Sequence, residues 1–282
     1  MRIGMRFPDF LIIGGMKCGS TTLFRDLDTN PRVFFPLDKE PENLCHDAVL
    51  TDAGRAAYAA MFRKARPDQL CAEASTAYTK RPDFEGMAER ARQVCGDDLR
   101  VLYLVRDPVR RTISHHYHEY ARGNMPSDIN EAVRTFPALI NYSRYAMQIE
   151  PWLETFGPGQ VRIVRFEDYV SDRPGWCTRL CRFLGIEPRP DLIEVDKAFN
   201  RSEGKPIMRG PFRLVAHSRL YRSLIRPLLP TDVKDRLRST VLPKAPPKPA
   251  PPSDETVEWI RTQVAADQEK LDALLAELSP WT

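Results

Sequence analysis

The 282-residue sequence predicts an α/β fold, a central parallel sheet flanked by helices in three layers. Three observations carry that expectation. Short apolar runs alternate with stretches of helical periodicity, the pattern of strand–helix–strand units. The run Val101–Val105 is apolar throughout, as a parallel strand covered on both faces must be. The run Phe10–Ile13 ends in Gly14-Gly15 and, past Gly19, opens into a helical pattern.

In order, Phe10–Ile13 is the first strand, and the helix after Gly19 runs to about Leu27, where Asn30-Pro31 stops it. Arg32–Phe35 is a short extended candidate. Asp52 caps a helix reaching about Lys64, and Leu70–Ala74 is a second buried strand. Pro82-Asp83 opens a helix to about Cys95. Val101–Val105 leads through Arg106-Asp107-Pro108 into a helix from about Val109 to Arg122, with Pro108 suited to its first turn. Helices over Ser143–Phe156 and Gly175–Leu184 bracket a strand over Val161–Phe166.

Pro243–Pro252 is a polyproline-like connector to a helix over 254–278, which carries Leu271, Leu274, Leu275 and Leu278 on one face. One helix cannot make a core, so the expectation is a single domain over 1–282 onto which this helix docks.

Lys and Arg number 42 against 38 Asp and Glu, a net charge of +4 with both signs mixed along the chain. That argues against nucleic-acid binding driven by bulk charge. The six cysteines include no Cys-x-x-Cys pair, which suits reduced thiols and a cytoplasmic protein. No apolar run reaches the ~18 residues of a membrane span, and none suits a secretory leader. His115, His116 and His118 point in different directions on a helix and lack the spacing of a metal site, so no metal is expected.

The first loop is the chemical feature. A strand, a glycine turn and a helix N-terminus converge unpaired N–H groups and the positive end of a helix dipole on one point. Lys17 adds a mobile cation, and Ser20, Thr21 and Thr22 add hydroxyl donors. The bland reading is a lysine on an ordinary strand–helix turn. Gly14 and Gly19 keep the glycine spacing of a nucleotide-binding P-loop, but Lys17 sits inside the loop instead of directly before the hydroxyl residue. The fold is therefore P-loop-like without being a standard Walker site.

This loop resembles the 5′-phosphosulfate loop of PAPS-dependent sulfotransferases, in which a basic residue within the loop precedes Gly-Ser/Thr-Ser/Thr. Arg106 at a strand end, with Ser114 eight residues on, resembles the same family's 3′-phosphate motif. With Lys39-Glu40-Pro41 and Glu73-Ala74-Ser75, the pattern is similar to the heparan-sulfate-type carbohydrate sulfotransferases and their bacterial relatives. The resemblance implies PAPS (3′-phosphoadenylyl sulfate) as co-substrate and PAP as product.

It implies nucleotide contacts from Lys17, Cys18, Gly19, Ser20, Thr21, Thr22, Arg106 and Ser114, with Lys205 and Arg209 closing from a late basic loop. It implies a hydroxyl acceptor, a carbohydrate or a small natural-product alcohol, contacted by Glu40, Glu73 and Ser75. Glu40 is the base the resemblance implies; His115, an imidazole titrating near neutrality, is its rival. Ala74 stands where the family often has a lysine, removing one cation from the acceptor side.

Two other function classes remain open at this level. One is a P-loop-type kinase or hydrolase, which magnesium dependence would reveal. The other is a non-catalytic nucleotide-binding protein. Over 213–229, Leu220, Tyr221, Leu224, Ile225 and Leu228 share one helical arc, with Arg219, Arg222 and Arg226 opposite. The bland reading is a helix packed on the core; the functional one is contact with an anionic membrane or an anionic acceptor.

Overall fold

The computed structural model describes residues 5–36, 39–195 and 246–278. Lys205, Arg209 and the amphipathic stretch 213–229 lie outside the described residues, as does the first part of the proline-rich connector. In chain order the described elements are β1 (Phe10–Gly14), α1 (Ser20–Asp28), β2 (Val33–Phe34), α2 (Asp52–Ala60) and β3 (Leu70–Ala74). Then come α3 (Met87–Cys95), β4 (Arg100–Val105), α4 (Pro108–Arg122), α5 (Ile129–Thr135), α6 (Ala138–Asn141) and α7 (Tyr145–Phe156). The rest are β5 (Val161–Arg165), α8 (Phe166–Ser171), α9 (Arg173–Phe183) and α10 (Asp254–Glu277).

The five strands form one sheet in the order β2-β3-β1-β4-β5, every neighbouring pair parallel. Phe10 lies opposite both Ala72 and Arg100, and Val101 opposite Val161. All five residues of β1 are buried, as expected where helices cover both faces of a parallel sheet. From β1 the chain runs to the edge strand β2, returns to β3 beside β1, then crosses to β4 and β5 on the other side. Such a reversal in the order of strand addition opens a crevice at the carboxyl ends of the parallel strands. Here it opens at β1, between the ends of β3 and β4.

Several boundaries differ from the sequence expectation, each for a local reason. The cap of α2 is Thr51, whose hydroxyl accepts from the Gly54 N–H at 3.0 Å; Asp52 is already helical. The third helix begins at Met87, because Gly86 in a left-handed conformation sets its start. The short helices α5 and α6 have no counterpart in the sequence expectation, although Asp128 caps α5 by accepting from the Asn130 N–H at 2.9 Å.

α10 lies across α4, α6 and α7. Its Ile260 and Val264 complete a small apolar cluster with Val109, Ile129, Val133 and Leu139, while Leu271 joins the main core. Asp267 fastens it further, its two carboxylate oxygens accepting from the Ala146 and Met147 N–H groups at 2.9 Å each. These are first-turn donors of α7 that would otherwise lack partners. No helix among the described residues is long and apolar enough to cross a membrane.

Candidate active site

Three chain segments meet at the carboxyl ends of β3, β1 and β4. The loop after β1 carries Lys17 in the left-handed region at φ 67 and ends at Gly19, φ 89, which caps α1 without any side-chain oxygen. A helix start with no side-chain cap leaves its first N–H groups for an anion. Gly19 is also required by contact: a Cβ there would lie 2.4 Å from the Phe166 ring. Phe166, the first residue of α8, in turn stacks on the Arg106 guanidinium, 4.8 Å from its ring centre. Arg106 follows β4 and donates from Nη1 to the Lys17 carbonyl at 3.3 Å, which ties the second motif to the first. Its buried Nε has no hydrogen-bond partner.

The third segment holds Glu40. Its N–H donates to the Ala74 carbonyl at 3.0 Å, so the loop is pinned to the end of β3. Its carboxylate accepts from Lys39 Nζ at 2.9 Å and from Thr76 Oγ1 at 3.5 Å. Glu40 and Glu42 both hold left-handed backbone, φ 61 and φ 57. With Lys17, three non-glycine residues in a sparsely populated region therefore ring one cleft. Such outliers persist only where the surroundings hold them, and they gather at functional sites.

Together these segments line a cavity of about 550 Å³. Lys17, Gly19, Ser20, Thr21, Thr22, Glu40, Arg106 and Ser114 all face it. A model of the sulfotransferase domain matches residues 7–200, more than half of the chain. The chain belongs to the sulfotransferase-domain family.

The chain is 28% identical over 247 residues to mouse heparan sulfate glucosamine 3-O-sulfotransferase 3A1, covering 79% of this chain and 59% of the relative. It is likewise 28% identical over 218 residues to the mouse 3-O-sulfotransferase 6, covering 72% and 59%. The chain thus spans about three fifths of the length of these curated relatives. Its fold is similar to a sulfotransferase from Alicyclobacillus acidocaldarius, with TM-score 0.64, 21% identity, and 95% and 96% of the two chains covered. The sulfotransferase domain of the curacin biosynthetic pathway gives TM-score 0.54 at 17% identity, covering 92% and 98%.

Four residues expected at this cleft do not line it. Glu73 is fully buried in β3, where the Tyr58 and Tyr78 hydroxyls both donate to its carboxylate. Burial outweighs those two donors and pushes its pKa up to about 7. Ser75, 1% exposed, donates its N–H to the Ile12 carbonyl at 3.0 Å and faces the interior. The Cys18 side chain points into the core, its Sγ 3.5 Å from the Tyr145 hydroxyl, and burial pushes the thiol up to about 11. For Cys18 only the backbone belongs to the loop.

His115 is the fourth. It neighbours Ser114 on α4, but one residue turns a helix by about 100°, so the two leave on different faces. Its Nδ1 lies 3.2 Å from Arg111 Nη1, and its ring stacks on Tyr142. Burial, reinforced by the Arg111 charge, lowers its pKa to about 2. An imidazole so placed neither reaches the cleft nor takes a proton at neutral pH.

In its place the structure brings His118, four residues after Ser114, and Arg122, four further on. That i, i+4, i+8 stripe was available in the sequence once Ser114 fixed the inner face of the helix. Burial, then the charges of Lys17, Arg122 and Lys80, lower the His118 pKa to about 3, so its ring is neutral. Lys80, Glu42, Thr76 and Phe166 also line the cleft. Nothing local marks those four, which arrive through the packing of separate loops. Among the described residues no three His, Cys, Asp or Glu side chains gather as metal ligands.

Proposed function

We propose that this chain transfers the sulfuryl group of PAPS to a hydroxyl of an acceptor, with Glu40 as base and Lys17 at the leaving phosphate. The observation that carries this reading is the single cleft that Lys17, the N-terminus of α1, Arg106, Ser114 and Glu40 share. The residues fit the co-substrate. A loop without a side-chain cap suits the 5′-phosphosulfate. The Arg106 guanidinium, with an unpartnered Nε and a ring fixing its plane, suits a second phosphate. The volume lies within the range of about 300–1,000 Å³ common for ligand clefts.

As the acceptor oxygen–sulfur bond forms, the bond from sulfur to the bridging phosphate oxygen breaks and PAP departs. Lys17 and the α1 N–H groups stabilise the charge that develops on that oxygen. Glu40 takes the proton of the acceptor hydroxyl. Its pinned backbone and the Lys39 contact hold the carboxylate at the cleft rim. Glu40 is favoured over His115 because it lines the cleft and His115 does not. The relatives' names point to a carbohydrate hydroxyl as the acceptor, and a small alcohol is the other class consistent with the open rim.

The test is transfer of label from ³⁵S-PAPS to a panel of carbohydrate and small-alcohol acceptors. Glu40→Gln should cut turnover by roughly 10²–10⁴-fold with PAP affinity unchanged. Full activity in Glu40→Gln would remove Glu40 from the mechanism. Label transfer or hydrolysis from ATP in preference to PAPS would return the chain to the kinase class.

A further inference from the structure

Behind the Glu40 loop lies a carboxylate that the proposed reaction does not use. Glu73 is fully buried in β3, with the Tyr58 and Tyr78 hydroxyls both donating to it. Burying a carboxylate costs free energy, and here two phenols return only part of it, since its pKa is pushed up to about 7. Stability therefore does not account for an acid at this place.

The hydrogen bonds around it do. An ionised carboxylate only accepts, so it turns both phenol protons toward itself. The Tyr78 oxygen is left to accept from elsewhere, and the Leu44 N–H donates to it at 3.2 Å. Tyr78 is itself held, its carbonyl accepting from Trp152 Nε1 at 3.3 Å. The buried Leu44 is gripped a second time through its carbonyl, which accepts from Arg90 Nε at 2.6 Å. At the other end of the loop the Glu40 N–H is bound to the carbonyl of Ala74, the residue after Glu73. Glu73–Tyr78 thus ties both ends of Glu40–Leu44. Between the ties, Glu40 and Glu42 hold left-handed backbone, and Glu40 also precedes a proline, which restricts it further. Backbone of this kind relaxes when a tie is cut, and the group it carries is the Glu40 carboxylate.

We propose that Tyr78, oriented by Glu73, is the positioning residue that holds Glu40 where it takes the acceptor's proton. This rests on the sulfotransferase reading above and adds to it the anchor of the base. Neither Tyr78 nor Glu73 lines the cleft, so both act through Glu40.

Two matched substitutions test the anchor. Tyr78→Phe keeps the ring and removes the hydroxyl that Leu44 needs. Tyr58→Phe removes the other donor to the same carboxylate and leaves the loop tie in place. Both are compared with wild type at pH 8, where Glu73 is ionised. In the full chain saturated with PAP, the Leu44 amide should exchange about tenfold faster in Tyr78→Phe, as expected for one lost hydrogen bond, and at the wild-type rate in Tyr58→Phe. With ³⁵S-PAPS and heparan sulfate or para-nitrophenyl glucoside as acceptor, Tyr78→Phe should lower kcat about 10–100-fold, the cost of a small misplacement of a reacting group. Its KM for PAPS should stay unchanged, and Tyr58→Phe should turn over like wild type. In a Glu40→Gln background Tyr78→Phe should cost nothing more, because groups that act as one unit are not additive. Equal effects of the two substitutions on Leu44 exchange, full kcat in Tyr78→Phe, or an undiminished further loss in the Glu40→Gln background would each overturn the proposal. Failure of wild type to bind PAP, or to pass label from PAPS to either acceptor, would instead overturn the sulfotransferase reading on which it rests.

Discussion

Gly19→Ala perturbs the donor site through a contact that links three residues. The added Cβ would sit 2.4 and 2.5 Å from two carbons of the Phe166 ring. Two costs follow. Left-handed backbone at a non-glycine residue costs roughly 1–2 kcal/mol, and overpacking typically costs about 1–3 kcal/mol. The variant should therefore lose roughly 2–5 kcal/mol of stability. The ring can escape only by tilting, and the Arg106 guanidinium lies 4.8 Å from its centre. Arg106 then leaves its position against the Lys17 carbonyl. A charge-assisted hydrogen bond to a phosphate is worth about 1.5–3 kcal/mol, so PAP affinity should fall roughly 10–150-fold. Thermal denaturation and calorimetry with PAP measure the two effects. The double variant Gly19→Ala/Phe166→Ala removes the clash and should regain most of the stability, while PAP binding stays weak because Arg106 has lost its ring. Wild-type PAP affinity in Gly19→Ala, or a melting loss that is identical with and without Phe166, would refute this chain of contacts.

Three further outcomes are expected. Arg106→Ala should weaken PAP by about 1.5–3 kcal/mol in the same calorimetric assay without changing the fold by circular dichroism; unchanged affinity would detach Arg106 from the phosphate. Glu73 titrates in the folded protein at about 7 against an ordinary 4.5, so its contribution is fully present below pH 4.5 and is lost as pH rises through about 7. Glu73→Gln, read by melting temperature from pH 4.5 to 8, should gain on wild type across that window by an amount on the order of 3 kcal/mol; a constant difference would show that the two tyrosines keep Glu73 ionised throughout. Asp26 on α1 is bound by Arg173 through Nε at 2.9 Å and Nη2 at 2.5 Å, both side chains buried. Asp26→Asn should strand that guanidinium and cost about 3–5 kcal/mol by chemical denaturation, whereas a loss under about 1 kcal/mol would show the pair to be solvated.

The sequence by itself determined what lies within one strand–turn–helix unit. The runs Phe10–Ile13 and Val101–Val105 are apolar on both faces, which only a covered parallel strand explains, and both are strands. The Lys17 loop was legible because glycine spacing and hydroxyls set a local anion cradle. Arg106 and Ser114 were legible because eight residues from strand end to helix bring both to one side, and both face the cleft. Glu40 was legible through the resemblance of Lys39-Glu40-Pro41, though what holds it is the Ala74 carbonyl, thirty-four residues away in sequence.

Only the tertiary structure decided which way neighbouring side chains turn. Glu73 and Ser75 sit at a strand's carboxyl end, as the cleft residues do, yet both point into the core, since β3 lies between β2 and β1 under cover on both faces. His115 and His118 differ by three residues, and only the docking of α4 against Ser143 and Leu139 determines that the first is buried on Arg111 and the second faces the cleft. Lys80, Glu42 and Phe166 come from separate loops, and no spacing within any one of them records the others. Their meeting follows from the strand order, which sets the ends of β3, β1 and β4 side by side. Proximity of that kind is a property of how the chain closes on itself in space, because a residue's neighbours along the backbone carry no record of what lies across the cleft.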